Sequence, residues 1–591
     1  MKTKLLLLAC FCVITSAFAQ DPLKKVSTKY MRPSITPLYF QPKDRQEEII
    51  ISKLKSLDIS SKFNDHKVDF PALDCSVKEE PGRKTLIDNY ARKSTNPVMA
   101  KWWNRDAQGN FNYDFVAKSG LYSSTDADAI MAKGSNIDRR EMMGEELIGK
   151  TYILLYEIAS LQTMEQKYDK QDAINQNLGI TKPVTRSSEG YEIVYNVYAY
   201  KLNYNDSVSM VFYNEYWTDV NNHDAAKAAK WSAATFPVNY IQKITGVVQS
   251  SQSKESVLGT NKKKKTMDEL LQDIPAKWQD QALFDLARYI EDFNLKATIF
   301  KSKPLQAKLG TKESLYLDQR FFVYEIEVDQ FGNQDKILKG VARAKTIENN
   351  KTIATGESKP STFTQQGGKR LYEGMFIESH EDIGGILEAG FYTGSSDRSF
   401  GGIRIGLDYR LSRAVKKRGV YVGIDFTANY MNNVNPGIVD AGGIEIADGY
   451  SSFSGFTYSF AAKVSKEMYF TRRGNVYLNP SIGLGLVSYS LNKSDNSLYD
   501  FEYVDENGKT KHNPDYLWSS FFVPMSVGLG FYVKPNMSVE LRPVFRAKFA
   551  VSTDNNDRLD QGGSYDEGWG FESLSKMSFG SSLLLNFRYR F

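Results

Sequence analysis

The sequence predicts a multidomain chain that ends in an eight-stranded antiparallel transmembrane β-barrel, preceded by α+β domains of which the last is a small β-unit. Three observations predict it. From about residue 384 onward the chain is a series of two-period segments, the connections between those segments alternate short and long, and no stretch beyond the N-terminus offers 18 consecutive apolar residues. Only helices and closed barrels satisfy their backbone inside lipid, so any membrane span in this chain is built of strands.

At the N-terminus, Lys2 and Lys4 precede an apolar run over residues 5–14 that is too short to span a bilayer, and Ala17-Phe18-Ala19 follows as an A-x-A site. Residues 1–19 therefore read as a signal peptide cleaved between Ala19 and Gln20. Leu7-Leu8-Ala9-Cys10 has the form of a lipoprotein box, but the apolar run continues past it, and lipidation is not expected. Cleavage removes Cys10 and Cys12 and leaves Cys75 alone, so no intramolecular disulfide is expected and Cys75 reads as a buried filler. The 591 residues are 41% hydrophobic and 25% charged, the composition of folded protein. A net charge of +5 over this length carries no nucleic-acid signal.

Residues 20–140 read as a mixed region of short helices and loops, punctuated by Pro33, Pro37, Pro42, Pro71, Pro81-Gly82 and Asn96-Pro97, with one helix over 49–57. Trp102-Trp103 reads as core packing ahead of a sugar platform. Residues 141–248 read as an α+β domain. Its run 151–158 (TYILLYEI) is a buried strand, and a polar helix follows to about residue 176. A hairpin then pairs 191–197 with 208–217 around Asn205-Asp206, and Asn222 caps a helix over 224–234. Residues 249–266 form a polar linker with a Lys262 to Lys265 cluster, expected to be solvated. Residues 267–377 read as a helix plus a small β domain. The helix buries Trp278, Ala282, Leu286, Ile290 and Phe293, and a hairpin runs over 321–328 and 337–344. The segment to residue 377 loosely resembles an SH3-like unit, which brings no functional residue with it.

Residues 384–591 supply the barrel strands, at about 385–394, 402–411, 419–430, 455–466, 476–490, 520–534, 537–551 and 577–591. The clearest alternates Ile403, Ile405, Leu407, Tyr409 and Leu411 with Arg404, Gly406, Asp408 and Arg410. The connections at 412–418, 467–475 and 535–536 are short and basic. Those at 431–454, 491–519 and 552–575 are long, with only 395–399 brief on that side, an alternation that outer-membrane barrels show, and the long ones are acidic. An eight-stranded lumen has room only for side chains, so Arg404, Asp408, Arg410, Asp425, Glu540, Arg542, Arg546 and Arg588 are expected to form an ion-pair network that plugs it. A narrow anion path, favoured by a surplus of Arg and Lys, is the lesser reading. Interior glycines are expected to make room for long basic side chains, and Pro480, Pro524 and Pro543 to mark bulges.

No catalytic, cofactor-binding or metal motif stands out. His66, His223, His380 and His512 are scattered, and the Asp554, Asp557 and Asp560 cluster lacks the glycine and terminal Glu of an EF-hand. Asp206-Ser207-Val208 matches a short O-glycosylation pattern permissive enough to arise by chance.

The final segment places Phe579, Leu583, Leu585, Phe587, Tyr589 and Phe591 on one face. It resembles the last strand of bacterial outer-membrane β-barrels, and residues 384–591 as a whole resemble the small outer-membrane barrels of Bacteroidota. That resemblance implies an outer-membrane location, Phe591, Tyr589 and Phe587 as the assembly signal, and membrane lipids and the barrel assembly machinery as partners. Strand parity then puts residues 20–377 in the periplasm. The expected role is a non-enzymatic envelope scaffold with periplasmic or outer-membrane protein partners. The alternative is a surface protein whose acidic loops bind ligands or ions. A lipid-modifying barrel enzyme ranks below both, because no nucleophile and base are visible.

Overall fold

The computed structural model describes residues 30–74, 81–123, 137–180, 182–254, 264–328, 334–351, 359–393, 401–434, 438–439, 453–471, 473–491, 502–504, 510–512, 516–549, 570–571 and 578–591. The expected cleavage site at Ala19 and Gln20, Cys75, Lys262 and Lys263, and the Asp554 to Asp560 cluster lie outside them.

The first layer is a five-stranded sheet of β1 (Ser34–Tyr39), β2 (Asn64–Asp65), β3 (Thr151–Thr163), β4 (Ser188–Leu202) and β5 (Val238–Ser253), in the order β2-β1-β3-β4-β5. β1 pairs in parallel with β3, from Ser34 opposite Thr151 to Tyr39 opposite Tyr156. The boundary expected at residues 140/141 therefore runs through one sheet and separates nothing. Two helices, α1 (Arg45–Ser56) and the later Met267–Leu286, cover one face. Ile50, Leu54, Leu271, Ile274 and Trp278 there meet Tyr156, Ile193 and Tyr195. On the opposite face α2 (Gly82–Lys93) packs Ile87 and Ala91 against Ile153, Leu155 and Tyr200. β3 is buried on both faces, which is why its sequence is continuously apolar.

Several local expectations fail. Residues 249–253, expected to open a polar linker, complete β5 instead, and Ile290 and Phe293 are buried beyond the later helix, which ends at Leu286. Residues 208–217 do not return as a strand: Asp206–Glu215 is a helix, α3, capped by Asn205, whose side chain accepts from the Val208 N–H at 3.1 Å. The helix near residue 225 is capped by Asp224 instead of Asn222 and runs only over Ala225–Lys230 before a 3-10 turn. Trp102 and Trp103 are core residues, as expected. Trp102 stacks on His66 with centroids 4.4 Å apart, and Trp103 stacks on Phe212 at 5.1 Å. The helix expected in the next domain, α4 (Met267–Leu286), belongs to this layer instead, with a capping box of Thr266 and Glu269 at its start.

His66 is buried with Nε2 3.0 Å from the Val98 carbonyl, and burial pushes its imidazole down to about 3. An unfolded imidazole titrates near 6.5, so between those values the unfolded chain binds a proton that the folded chain refuses. Stability is expected to fall as pH drops through that window, by roughly 3 kcal/mol at pH 4 from this one group. Urea midpoints of the wild type and of His66→Asn across pH 4 to 7 should show the slope flattened in the variant.

The second unit is a small closed barrel of six strands: β6 (Lys296–Ser302), β7 (Leu305–Ala307), β8 (Arg320–Val328), β9 (Gln334–Thr346), β10 (Ser361–Gly368) and β11 (Phe376–Ser379), in the order β10-β7-β6-β11-β8-β9. Ile299, Phe321, Val323, Ala342, Phe363 and Ile377 fill it. The expected hairpin is present as β8 and β9, paired from Arg320 opposite Arg343 to Val328 opposite Gln334.

The last unit is the eight-stranded closed antiparallel barrel. Its strands are β12 (Gly385–Thr393), β13 (Ile403–Arg410), β14 (Val420–Val434), β15 (Phe453–Lys466), β16 (Val476–Leu491), β17 (Tyr516–Lys534), β18 (Met537–Lys548) and β19 (Ser578–Arg590). Each strand pairs with its sequence neighbours, and β12 closes on β19 with Ile386 opposite Arg590. The outward side chains are apolar and open: Ile405, Phe426, Phe460, Leu484, Phe531 and Phe545 are all exposed. The inward ones are polar and buried. This inversion suits a bilayer around the barrel. Pro480, Pro524 and Pro543 stand within regular pairing and mark no bulge; the register shifts fall between Met431 and Val434, between Ser488 and Ser490, and between Tyr532 and Lys534. A proline lacks one ladder donor, and the neighbouring pairs carry the register past it.

Candidate functional site

Strand alternation delivers the charged residues of β12, β13, β14, β15, β18 and β19 to one lumen. Glu388 of β12 sits at the centre of the cluster, fully buried, with Lys463 Nζ at 2.7 Å, Arg588 Nε at 2.7 Å, Arg542 at 3.8 Å and a short contact to Arg404. Arg404 also reaches Asp425 at 2.5 Å and the Asn586 side-chain oxygen at 2.9 Å. Arg588 spans Asp408 at 3.3 Å and Glu467 at 2.7 Å, and Arg542 pairs with Glu540 at 2.5 Å.

Of the expected network, Arg404, Asp408, Asp425, Glu540, Arg542 and Arg588 are brought together. Arg546 is buried in the lumen but apart from these ion pairs: it donates to Ser582 Oγ at 2.7 Å and lies 4.5 Å above the Tyr392 ring. Arg410 lies at the rim, where it pairs with Asp382 of the link before the barrel at 2.8 Å and approaches Asp318 of the small barrel at 3.8 Å. Glu467 was assigned to a turn, yet its carboxylate enters the lumen and takes both Arg588 and Arg590 at 2.7 Å. The parity of Lys463, Ser465 and Glu467 carries that signal, because a strand continued by one residue points Glu467 inward.

The connected cluster balances. Glu388, Asp408, Asp425, Glu467 and Glu540 face Arg404, Lys463, Arg542, Arg588 and Arg590, so the expected surplus of cations is absent from the cluster itself. Glu388, Asp408 and Asp425 hold carboxylate oxygens within 4.8 Å of one another, a spacing that suits a metal ion. Lys463 Nζ stands among them at 2.7, 2.9 and 3.1 Å, so an ammonium already fills that position. The interior glycines mostly admit something other than basic chains. A Cβ on Gly423 would meet Asp408 Oδ1 at 2.0 Å, and one on Gly530 would meet the Tyr477 ring at 2.1 Å.

A second set of buried charges joins the two barrels at the rim where Phe591 lies. Asp382, in the link between β11 and β12, receives Arg343 of the small barrel at 2.8 Å and Arg410 of β13 at 2.8 Å. Asp318 accepts from Ser412 Oγ at 2.7 Å and from the Gly419 N–H at 3.2 Å, both in the short connection after β13. Arg343 also donates to Gln366 at 2.7 Å and to the Asp318 carbonyl at 2.9 Å. Burial alone would push the Asp382 carboxyl up, but Arg343 and Arg410 overcome it and hold it well below the usual carboxylate range. The Gly367 N–H donates to the Arg473 carbonyl at 2.9 Å, and Arg418 reaches Thr364 at 2.9 Å, so the small barrel is fastened at several points around the rim.

Among the described residues, His66, His223 and His380 lie apart and form no centre. His223 faces Asn110, His380 stacks on Phe322 at 4.1 Å, and His66 stacks on Trp102. Phe587 and Phe591 are exposed on the outer face and Tyr589 is half-buried beside Phe591.

No protein-family model matches the chain, and no curated protein is significantly similar to it. Solved structures give a weak likeness to bacterial barrels. Neisserial surface protein A is 14% identical, over 36% of this chain and 100% of its own length, with a TM-score of 0.21. A major outer membrane protein from Thermus thermophilus is 15% identical over 35% and 98%, also at 0.21. Ail, the attachment invasion locus protein of Yersinia pestis, is 11% identical over 35% and 95%, at 0.17. The assignment rests on this chain's own strand pairing. A closed antiparallel barrel with an apolar outside and a packed ionic interior defines an outer-membrane β-barrel protein.

Proposed function

We propose that this chain is a non-enzymatic scaffold of a bacterial envelope of the Bacteroidota type, in which a sealed outer-membrane barrel holds residues 20–377 in the periplasm for contact with other envelope proteins. The observation that carries the reading is the ionic lock at the rim. It fastens the large N-terminal module to the end of the barrel that bears the C-terminus and the short connections, which in outer-membrane barrels is the periplasmic end. A lumen whose central cluster of buried ion pairs is balanced suits an anchor. Phe591, Phe587 and Tyr589, on the outer face of the closing strand, are the residues offered to the assembly machinery.

Purified mature protein in detergent is expected to migrate faster unheated than boiled. Protease added to intact cells is expected to cut near residues 500 or 557 and to spare residues 30–370. Cleavage within 30–370 with intact loops would invert the topology. Crosslinking in cells from residues 30–379, followed by identification of partners, tests the scaffold itself: a reproducible envelope complex supports it, and a lone monomer counts against it.

A further inference from the structure

β5 is the outer strand of the five-stranded sheet. The opposite edge is the two-residue β2, whereas β5 runs for 16 residues, Val238–Ser253, and among the described residues has a partner strand on one side only. The Lys254 N–H donates to the Ser187 carbonyl at 2.8 Å, which sets the parity of the ladder. Even-numbered residues bond β4. The odd-numbered Lys243, Thr245, Val247, Gln249 and Ser251 turn their N–H and C=O groups away from it. The ladder's register shift lies between Ala199 and Tyr200, so residues 243–251 form an unbroken edge with no proline.

Natural sheets blunt such an edge with prolines, bulges or inward charges, because it is a template for another strand. Among the described residues, two groups reach these outward-facing backbone atoms: Lys277 of α4, whose Nζ donates to the Gln249 carbonyl at 3.0 Å, and the Tyr240 hydroxyl, which accepts from the Lys243 N–H at the start of the edge and leaves Thr245 and Val247 open. Val247, at the middle of the edge, is 57% exposed. Glu192 and Glu189 on the neighbouring β4 are taken by Lys167 and Lys264, so the charge left unpaired near it among the described residues is positive. Lys243, Lys254 and Lys277 are exposed and make no ion pair among the described residues.

We infer that the free edge of β5 takes an extended acidic segment of another protein as a sixth strand, with carboxylates beside Lys243 and Lys277. The incoming N–H groups replace the Lys277 ammonium at Gln249 and bond the outward carbonyls of Thr245 and Val247. Alternate side chains of the guest lie over the exposed face of β5. This rests on the reading of the module as an interaction platform, but binding in detergent tests the edge whichever side of the membrane the module occupies.

The probe is a fluorescent peptide of about nine residues alternating Glu and Val, added to the full chain in detergent. Val247→Pro removes an outward N–H and leaves the β4 ladder its donors, so it is expected to weaken binding about tenfold while heat-modifiable migration is kept. The double variant K243E/K277E, which reverses two exposed charges and removes the Lys277 hydrogen bond to Gln249, should weaken binding comparably, so the edge stays testable if the proline variant misfolds. Methylating alternate backbone nitrogens of the peptide, with its charge unchanged, should abolish binding. Equal binding by the methylated peptide, or unchanged binding to both variants, overturns strand addition. A concentration-dependent dimer that the peptide does not displace and Val247→Pro dissolves would make the occupant a second copy and overturn the acidic guest.

Discussion

Glu388→Ala is expected to destabilise the barrel by about 3–5 kcal/mol, the cost of leaving buried cations without their counter-charge. Among the described residues no other lumen carboxylate serves as many partners: Arg404, Lys463, Arg588 and Arg542 all converge on Glu388, and all five are buried. The loss comes from the stranded charges more than from the missing contacts. Glu388→Gln, which keeps the shape and removes the charge, should therefore fall nearly as far. Adding Lys463→Met to Glu388→Gln removes one stranded cation and should recover part of the loss, which is the behaviour of a coupled network and not of independent sites. Urea unfolding of the folded band, read by its heat-modifiable migration, gives the comparison. A Glu388→Gln barrel as resistant as the wild type would mean that the lumen charges are solvated and that the barrel is not sealed.

The barrel was legible because a membrane strand has little freedom. One face must be apolar and the other must pack into the lumen, so the period-two signal persists through β13 and β19 with every inward Arg and Asp in phase. The start of β12 and the ends of β15 and β17 agree with the sequence expectation. Glu467 escaped because it stands at the junction of strand and turn, where composition suggested a rim residue although parity pointed inward. The N-terminal sheet was illegible for a different reason. Its β1 pairs in parallel with β3 across more than a hundred intervening residues, and a parallel pair leaves no turn between its strands to read. Residues 208–217 alternate enough to suggest a strand, but the Asn205 cap and the burial of Phe212 against the aromatic cluster of Trp103, Phe111 and Trp231 decide for a helix. The rim lock could not be read from the sequence at all. Arg343, Asp382 and Arg410 belong to three separate segments, and only the docking of one barrel on the other brings them together.

Asp382→Asn is expected to free the module from the barrel without dissolving either. The carboxylate is the shared partner of Arg343 and Arg410, both nearly closed to solvent, so neutralising it leaves the two cations at the joint, among the described residues, with only the Asp318 carboxylate, 3.8 Å from Arg410, as counter-charge. Removing one partner of a buried pair costs about 3–5 kcal/mol, and that cost falls on the docked arrangement because undocking lets both guanidinium groups hydrate. The eight-stranded lumen holds its own counter-charges and should keep its heat-modifiable migration. The small barrel keeps the core of Phe321, Val323, Ala342 and Ile377 and should remain folded. The expected signature is therefore faster proteolysis of the link at residues 380–384 with two stable products. Acid should produce the same release in the wild type. Because the folded carboxyl titrates below its unfolded value, the stability it confers is full above about pH 4 and is lost as the pH falls below that point. Lowering the pH should thus increase cleavage at the link in the wild type and change it little in Asp382→Asn. If the variant resists protease as the wild type does, the hydrogen bonds of Asp318 to Ser412 and Gly419 hold the two barrels together without this carboxylate.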